Sequence, residues 1–478
     1  MSIRSLTILS VLALTSCTTI RSAHETQDAL AAKGRDDAAA SAQSRVDFRG
    51  ASLASLVDFA LTNRPAVVSK ALAVRDARLA LKALAADAPI LSDSPWTAPH
   101  LSSSASYSEA SAGTHLRDGN FSTRRGAATG AISLELLVYD FGRYSAQAKA
   151  QAEQVVAAEL SLANESLSVF QEVAEAYFNF YEKRALLSVA ATNEHQYAEH
   201  LQRAEEKRRA GEANRLDVLK ARLDLAKARQ DVVAASNLVE TTGATLMQTL
   251  GVDASRGTWC SAFGTESVGF DSVRRAFAAT DEDVGAAFAF ARTNTPSMRV
   301  ARAKLRAASH SVDAAIADLY PTVSVSASLT WTDPLWVFRW GASAAQSIFQ
   351  GFRKTTAVDR AVVALESAAS DVDAAEQTLS VELEKAVANR DNSREAVASA
   401  IASVRSAAEN LETVREQFAV GSASRVDLSE AIADDSQARG DCITAFYDGQ
   451  RAEAALFALT GRAPAFQEEL IQEDQSKK

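Results

Sequence analysis

Proline and glycine are scarce in this chain. Its 478 residues hold eight prolines and twenty glycines, about half the roughly 12% that average usage gives. A large all-β protein needs many Gly/Pro turns, so that class is excluded first. The prolines are also confined: none lies between Pro99 and Pro296, or between Pro334 and Pro464. Proline breaks helices, so these gaps permit very long ones. Cysteine is scarce too, and Cys17, Cys260 and Cys442 make neither a disulfide framework nor a zinc site. Cys442 precedes Gly461 by 19 residues, about 28 Å of helix. That distance sets it too far from the Cys260 segment for a disulfide, and a packed thiol is expected. Basic excess is absent: 50 Lys and Arg face 60 Asp and Glu, a net charge of −10. Nucleic acid is therefore not an expected partner. Past the N-terminus there is no continuous apolar run of 18 residues, so no helix should span a bilayer. If the chain crosses a membrane, it does so as strands. Phosphate loops, Gly-x-Ser-x-Gly turns, His-Glu-x-x-His and paired catalytic carboxylates are missing. His195 and His200, five apart, fall on different helix faces. No enzyme activity, cofactor or metal is expected.

What the chain does have begins with an export signal over residues 1–16. Arg4 supplies the positive region and Leu6–Leu14 a short apolar stretch, too short to span a membrane. The signal ends Leu14-Thr15-Ser16-Cys17, which is similar to the bacterial lipobox and implies lipidation of Cys17. A plain secretory signal with an incidental cysteine is the other reading. Thr18, in place of Asp, favours sorting to the outer membrane by the same resemblance.

The chain is then written twice. An offset of 210 matches Gly211 with Gly421, Ala213 with Ala423, Arg215 with Arg425 and Asp217 with Asp427. It also takes Arg143 to Arg353 and Gly251 to Gly461. Asn63-Arg64-Pro65 resembles Asn294-Thr295-Pro296 at an offset of 231, so 21 residues differ between the copies before Arg143. Each copy reads as helix, strand, strand, long helix, turn, shorter helix. In copy one the helices are expected over Leu53–Ala88, Arg143–Arg209 and Asn214–Leu250, and Asp283–Leu319 leads copy two. The middle helix repeats its apolar residues every seven positions (Val155, Leu162, Val169, Ala176; Val173, Phe180, Leu187), which is coiled-coil packing. At 67 residues it would run about 100 Å. Gly211 and Gly421 are expected as cap glycines of the turns, with Asn214 and Ser424 as N-caps of the return helices. The leading helices would stack end-on to complete the second rods.

Strands are expected around Leu101–Ser108, at Ile132, Leu134, Leu136 and Val138, over Thr322–Trp331, and through Trp336, Phe338, Trp340, Ala342 and Ala344. Each has one apolar and one small-polar face, as transmembrane barrel strands do. Trp331, Trp336, Phe338 and Trp340 around Pro334 would suit an aromatic girdle. The same alternation fits a soluble half-buried sheet. Four strands cannot close a barrel, so the membrane reading demands an oligomer.

These residues resemble the TolC-like family of outer-membrane efflux and secretion ducts. The resemblance rests on the duplicated Gly-x-x-x-Arg-x-Asp turn, on Tyr139-Asp140-Phe141-Gly142-Arg143 with its counterpart Phe349-Gln350-Gly351, and on Thr460-Gly461. It implies a mainly α fold with transmembrane β: a homotrimer in which four strands per chain form a barrel continued by a long periplasmic helical tunnel. The lipidated Cys17 resembles the efflux-pump branch. The partners implied are a periplasmic adaptor, an inner-membrane pump and outer-membrane lipid. The expected organisation is a signal peptide (1–16), a lipidated linker (17–50), a first repeat (51–251), an equatorial segment (252–280), a second repeat (281–461) and a polar tail (462–478).

By the same resemblance the glycine turns are the periplasmic tips. Gly211, Arg215, Asp217, Gly421 and Arg425 then mark the adaptor-docking region, although the arginines could equally pair with neighbouring carboxylates. Asp427 and Glu430 fall at the position of the acidic gate. Three residues apart, they share a helix face, and six carboxylates in a trimer would favour cations. Family members often carry two Asp there, so Glu430 departs from the pattern. Asp near a helix start is also favourable on dipole grounds alone. Copy one offers Asp217 with Lys220 instead. The implied function is a passive exit duct for small molecules, drugs or metals. A type I protein-secretion duct remains open, as does a periplasmic coiled-coil adaptor, which should carry one hairpin and compact β-domains.

Overall fold

The computed structural model describes residues 52–85, 88–89, 100–116, 119–211, 214–252, 284–332 and 335–460, together with Gln27. The signal segment 1–16, Cys17, nearly all of the linker, the equatorial segment beyond Val252, Pro334 and the tail 462–478 lie outside the described residues. Apart from Gln27, the described residues belong to one contact unit, Ser52–Val252 with Ser267–Lys478.

In chain order the elements are α1 (Leu53–Asn63), α2 (Pro65–Ala85), β1 (His100–Leu116), β2 (Gly119–Tyr139), α3 (Arg143–Arg209), α4 (Arg215–Thr249), α5 (Val284–Asn294), α6 (Pro296–Ala317), β3 (Thr322–Thr332), β4 (Leu335–Ala345), α7 (Arg353–Ala419) and α8 (Arg425–Thr460). The proline-free gaps do hold unbroken helices: α3 and α7 have 67 residues each. Of the heptad positions on α3, Val169, Val173, Ala176 and Phe180 are buried, whereas Val155, Leu162 and Leu187 are only half-buried; on α7, Leu379, Leu383 and Ala386 are removed from solvent. Buried alanines such as Ala146, Ala150 and Ala157 on α3 and Ala303 and Ala307 on α6 let neighbouring backbones approach closely. Helices α4, α3, α8 and α7 pack side by side in that order, and α2, α3, α6 and α7 do likewise.

The leading helices differ from expectation. Leu53–Ala88 is not one helix, because Arg64 is extended (ψ 124) and α2 restarts at Pro65. Proline drives the residue before it out of the α region, yet suits a first helical turn. Thr295 (ψ 128) breaks α5 from α6 before Pro296 in the same way. The return helices end against these breaks. Gly251, which follows α4, sits so close to the first that an added Cβ would lie 3.4 Å from the Asn63 carbonyl oxygen. At the second, Thr295 Oγ1 donates to the Leu459 carbonyl at 3.0 Å.

The strands form one antiparallel sheet in the order β1-β2-β3-β4, open at β1 and β4. β1 and β2 have 17 and 21 residues, longer than the alternating stretches suggested, against 11 each for β3 and β4. The register places Trp331 opposite Trp336, Leu329 opposite Phe338 and Ala327 opposite Trp340. On the other side of β3, Leu329 faces Ile132, Ala327 faces Leu134 and Val325 faces Leu136, so these residues share one apolar face. Val138 does not join it. A bulge between Leu137 and Tyr139 brings Tyr139 opposite Val323 instead, since one extra residue in a strand shifts every later side chain to the other face. The opposite face is polar, and its hydroxyls pair across strands: Ser102 with Ser133 at 2.6 Å and Ser324 with Ser343 at 3.1 Å.

The strand-to-helix junctions are sharply made. Phe141 and Phe352 have positive φ (54 and 61). Asp140, buried, accepts from the backbone N–H of Gly142 (3.2 Å) and Tyr144 (2.7 Å), capping the free donors at the start of α3. Asp318, just past α6, ties both long helices down: Arg143 Nη1 lies 3.3 Å from its Oδ1, and Lys354 Nζ 3.4 Å from its Oδ2.

Candidate functional site

Two regions carry the residues singled out from sequence: the paired helix-end turns and the aromatic sheet face. At the first turn, Gly211 (φ +79) follows α3 and its N–H donates to the Arg208 carbonyl at 3.1 Å. At the second, Gly421 (φ +80) follows α7. There the Ser422 N–H reaches the Gln417 carbonyl (2.9 Å) and the Gly421 N–H the Phe418 carbonyl (3.3 Å), a Schellman closure.

The return helices then start on reciprocal caps. Ser424 N–H donates to Asp427 Oδ2 at 2.8 Å while Asp427 N–H donates to Ser424 Oγ at 3.2 Å, a capping box. Hydrogen bonding from the Ser424 backbone N–H first, and from its side chain next, holds the Asp427 carboxyl below its ordinary range. Asn214 N–H donates to Asp217 Oδ2 at 3.2 Å. Asp427 and Glu430 are both exposed, and Glu430 has no ion-pair partner among the described residues.

The two arginines separate here. Arg215 is exposed and unpaired among the described residues. Arg425 is folded inward: its Nη1 lies 3.2 Å from Asp224 Oδ2 and its Nε 3.9 Å from Asp217 Oδ1. One side chain of α8 thus clasps two carboxylates of α4, linking the start of one return helix to the other.

Beneath this clasp the four helices share a core of Tyr197 (α3), Leu225 and Ala228 (α4), Leu411 (α7), and Leu428, Ala431 and Ile432 (α8). The Tyr197 hydroxyl donates to the Ser429 carbonyl at 3.3 Å, and Lys207 Nζ stands 4.1 Å from the Phe418 ring centre. His200 is buried there against Phe418, with both ring nitrogens lacking a partner among the described residues. Burial first, and the Arg425 charge next, hold its imidazole below the ordinary histidine range. Sequence reasoning weighed His200 only as a metal ligand and missed this role. The usable signal was its distance of one and two helical turns from Ala204 and Lys207 in a closing heptad.

On the sheet, Trp336, Phe338 and Trp340 are about two-thirds exposed or more, Trp340 reaching 77%. Trp331 and Trp336 lie with ring centres 6.5 Å apart across the β3–β4 pair. Farther along the helices, Glu182 is buried between Lys183 Nζ (2.7 Å) and Arg451 Nη1 (2.8 Å), an ion group that sequence spacing did not reveal. Among the described residues no helix is long and apolar enough to cross a membrane. Nor, among them, is any group of three or more His, Cys, Asp or Glu placed to hold a metal.

Residues 56–252 and 290–462 match the family described as outer membrane efflux protein. The outer membrane efflux protein BepC of Brucella suis is 24% identical over 349 residues, covering 71% of this chain and 74% of BepC. Among solved structures, the outer membrane protein VceC of Vibrio cholerae has a TM-score of 0.71 at 16% identity, covering 85% of this chain and 96% of VceC. The open state of the Neisseria gonorrhoeae MtrE outer membrane channel has a TM-score of 0.67 at 18% identity, covering 86% and 88%.

Proposed function

Because the chain belongs to the outer membrane efflux protein family, an outer-membrane channel family of Gram-negative bacteria, we propose that it is the passive trimeric duct of a tripartite efflux system. In this reading it exports small molecules, drugs or metals, with a periplasmic adaptor and an inner-membrane pump as partners. The observation that carries the proposal is the open sheet. It has an exposed Trp/Phe face and a hydroxyl-paired opposite face, and it leaves β1 and β4 without a partner on one side. Unpaired edges cannot face lipid, so further copies of the chain supply the pairing, and three copies give twelve strands. Trp331, Trp336, Phe338 and Trp340 then form the lipid-facing girdle. The equal 67-residue lengths of α3 and α7, each followed by a positive-φ glycine, support an internal duplication. The lipobox-like ending at Cys17 supports a lipid anchor.

The glycine turns are the periplasmic tips, where Gly211, Arg215, Asp217, Gly421 and Arg425 form the adaptor-docking region. Asp427 and Glu430 are the gate: exposed and on one helix face, they make a ring of six carboxylates in the trimer. Asp427 serves this ring while capping its own helix through one carboxylate oxygen. Replacing both residues by Ala should raise single-channel conductance in planar bilayers and weaken cation preference; unchanged conductance and selectivity would remove the gate assignment. Heat-labile trimers should appear in outer-membrane fractions, and a soluble monomer would refute the architecture.

A further inference from the structure

Helix α4 carries two apolar seams. Val218, Ala221 and Leu225 are buried and pack against α3 and the core below the turns. Leu216, Leu219 and Leu223 each precede one of these by two residues, about 200° around the helix. They point away from that core and are 53%, 50% and 54% exposed. Their spacing is that of coiled-coil seam positions. Single exposed leucines are ordinary, but three on one stripe mark an interaction face. No described element of the chain covers it, because α4 is one edge of the layer α4-α3-α8-α7. The other edge is α7. The two glycine turns stand near one level, since Lys207 Nζ donates to the Phe418 carbonyl at 3.4 Å. Counting away from Gly211 and back from Gly421 therefore gives matching heights on two antiparallel helices. Leu216 falls level with Glu416, Leu219 with Thr413 and Leu223 with Glu409. These α7 residues are exposed, and their spacing places them on one stripe, turned away from buried Leu411. Thr413 is small, and the glutamate methylenes can lie along the leucines while their carboxylates stay in water. The charges complement each other. Lys220 and Lys227 flank the leucines, exposed and without an ion pair among the described residues. Glu416 is likewise unpaired among them, and Glu409 is held only by Arg405 of its own helix, at 3.1 Å.

We propose that the Leu216–Leu219–Leu223 face of α4 packs antiparallel against the Thr413 face of α7 in a second copy of this chain. This is a helical interface near the turns, separate from the closure of the sheet, and it rests on the trimeric reading above. Lys220 and Lys227 set its orientation by facing the α7 carboxylates. The test is disulfide trapping of Leu219→Cys with Thr413→Cys in the full chain, in a background of Cys260→Ser and Cys442→Ser. Outer-membrane fractions are oxidised, boiled without reductant and run on gels. Covalent dimers and trimers are expected, collapsing to monomers with reductant. Either cysteine alone, or Leu219→Cys with Ser399→Cys, about 21 Å out of register, should give monomers. Leu219→Glu should lower the temperature at which unboiled trimers dissociate. Heat-labile trimers that do not cross-link would overturn the interface while leaving the duct reading intact, and would leave the seam to a different protein. Cross-linking of the out-of-register pair as readily as the matched one, or an unchanged dissociation temperature in Leu219→Glu, would also overturn it. A soluble monomer would remove both readings.

Discussion

The surroundings of His200 disfavour its protonated form. It faces Asp224 from α4 and Arg425 from α8, with Arg203 and Lys207 on its own helix and Phe418 of α7 against the ring. The attraction of Asp224 is outweighed by burial and by the three cations, so the folded state binds the proton less readily than the unfolded chain does. The stabilisation is therefore complete above the unfolded value of about 6.5 and is lost progressively as pH falls below it. Amide exchange in the last turns of α3 and α7, corrected for intrinsic rate, should speed up between pH 7.5 and pH 5.5. In His200→Leu that acceleration should vanish. At the neighbouring turns the limiting factor is backbone and not space. Gly211 and Gly251 share φ +79, but an added Cβ meets nothing within 4 Å at Gly211 and lies 3.4 Å from the Asn63 carbonyl oxygen at Gly251. Gly211→Ala should thus cost only the left-handed strain of about 1–2 kcal/mol. Gly251→Ala should cost a similar amount, because a 3.4 Å approach is an ordinary van der Waals contact, which paired thermal melts would measure.

Among the elements, α3 shows how much a heptad pattern conveys. Val169, Val173, Ala176 and Phe180 are buried as their spacing required, because side chains at that interval fall on one stripe of a helix whatever it packs against. Phe180→Ala should lower stability by about 3–5 kcal/mol, read as an early loss of helicity on heating. The breaks at Arg64 and Thr295 follow another local rule, since the residue before a proline is driven out of the α region while proline suits the first turn of the next helix. What the structure adds is the seating of Gly251 and Leu459 against those breaks. The bulge before Tyr139 was hidden: alternation reads through an inserted residue until the partner strand sets the register. The arginines at the turns looked equivalent in sequence. Only the approach of α8 to α4 made Arg425 a clasp on Asp217 and Asp224 and left Arg215 in solvent.

For the whole molecule, the exposed aromatic face is the feature with no internal partner. Trp340 lies four residues beyond Trp336 on β4, about 13 Å along the strand. In the proposed barrel this puts it well inside an apolar band about 25 Å tall. Trp340→Lys should therefore destabilise the inserted trimer by about 2–4 kcal/mol, seen as a lower trimer fraction on unheated gels of outer-membrane fractions. The sequence by itself determined where the helices run, where they turn and which strand face is apolar. Those properties follow from local rules: proline's missing donor, the heptad, glycine's left-handed freedom and period-two alternation. Only the tertiary structure decided which charges meet and which histidine is buried without a partner among the described residues. Those are matters of distance between segments far apart in the chain, and no local spacing encodes such a distance.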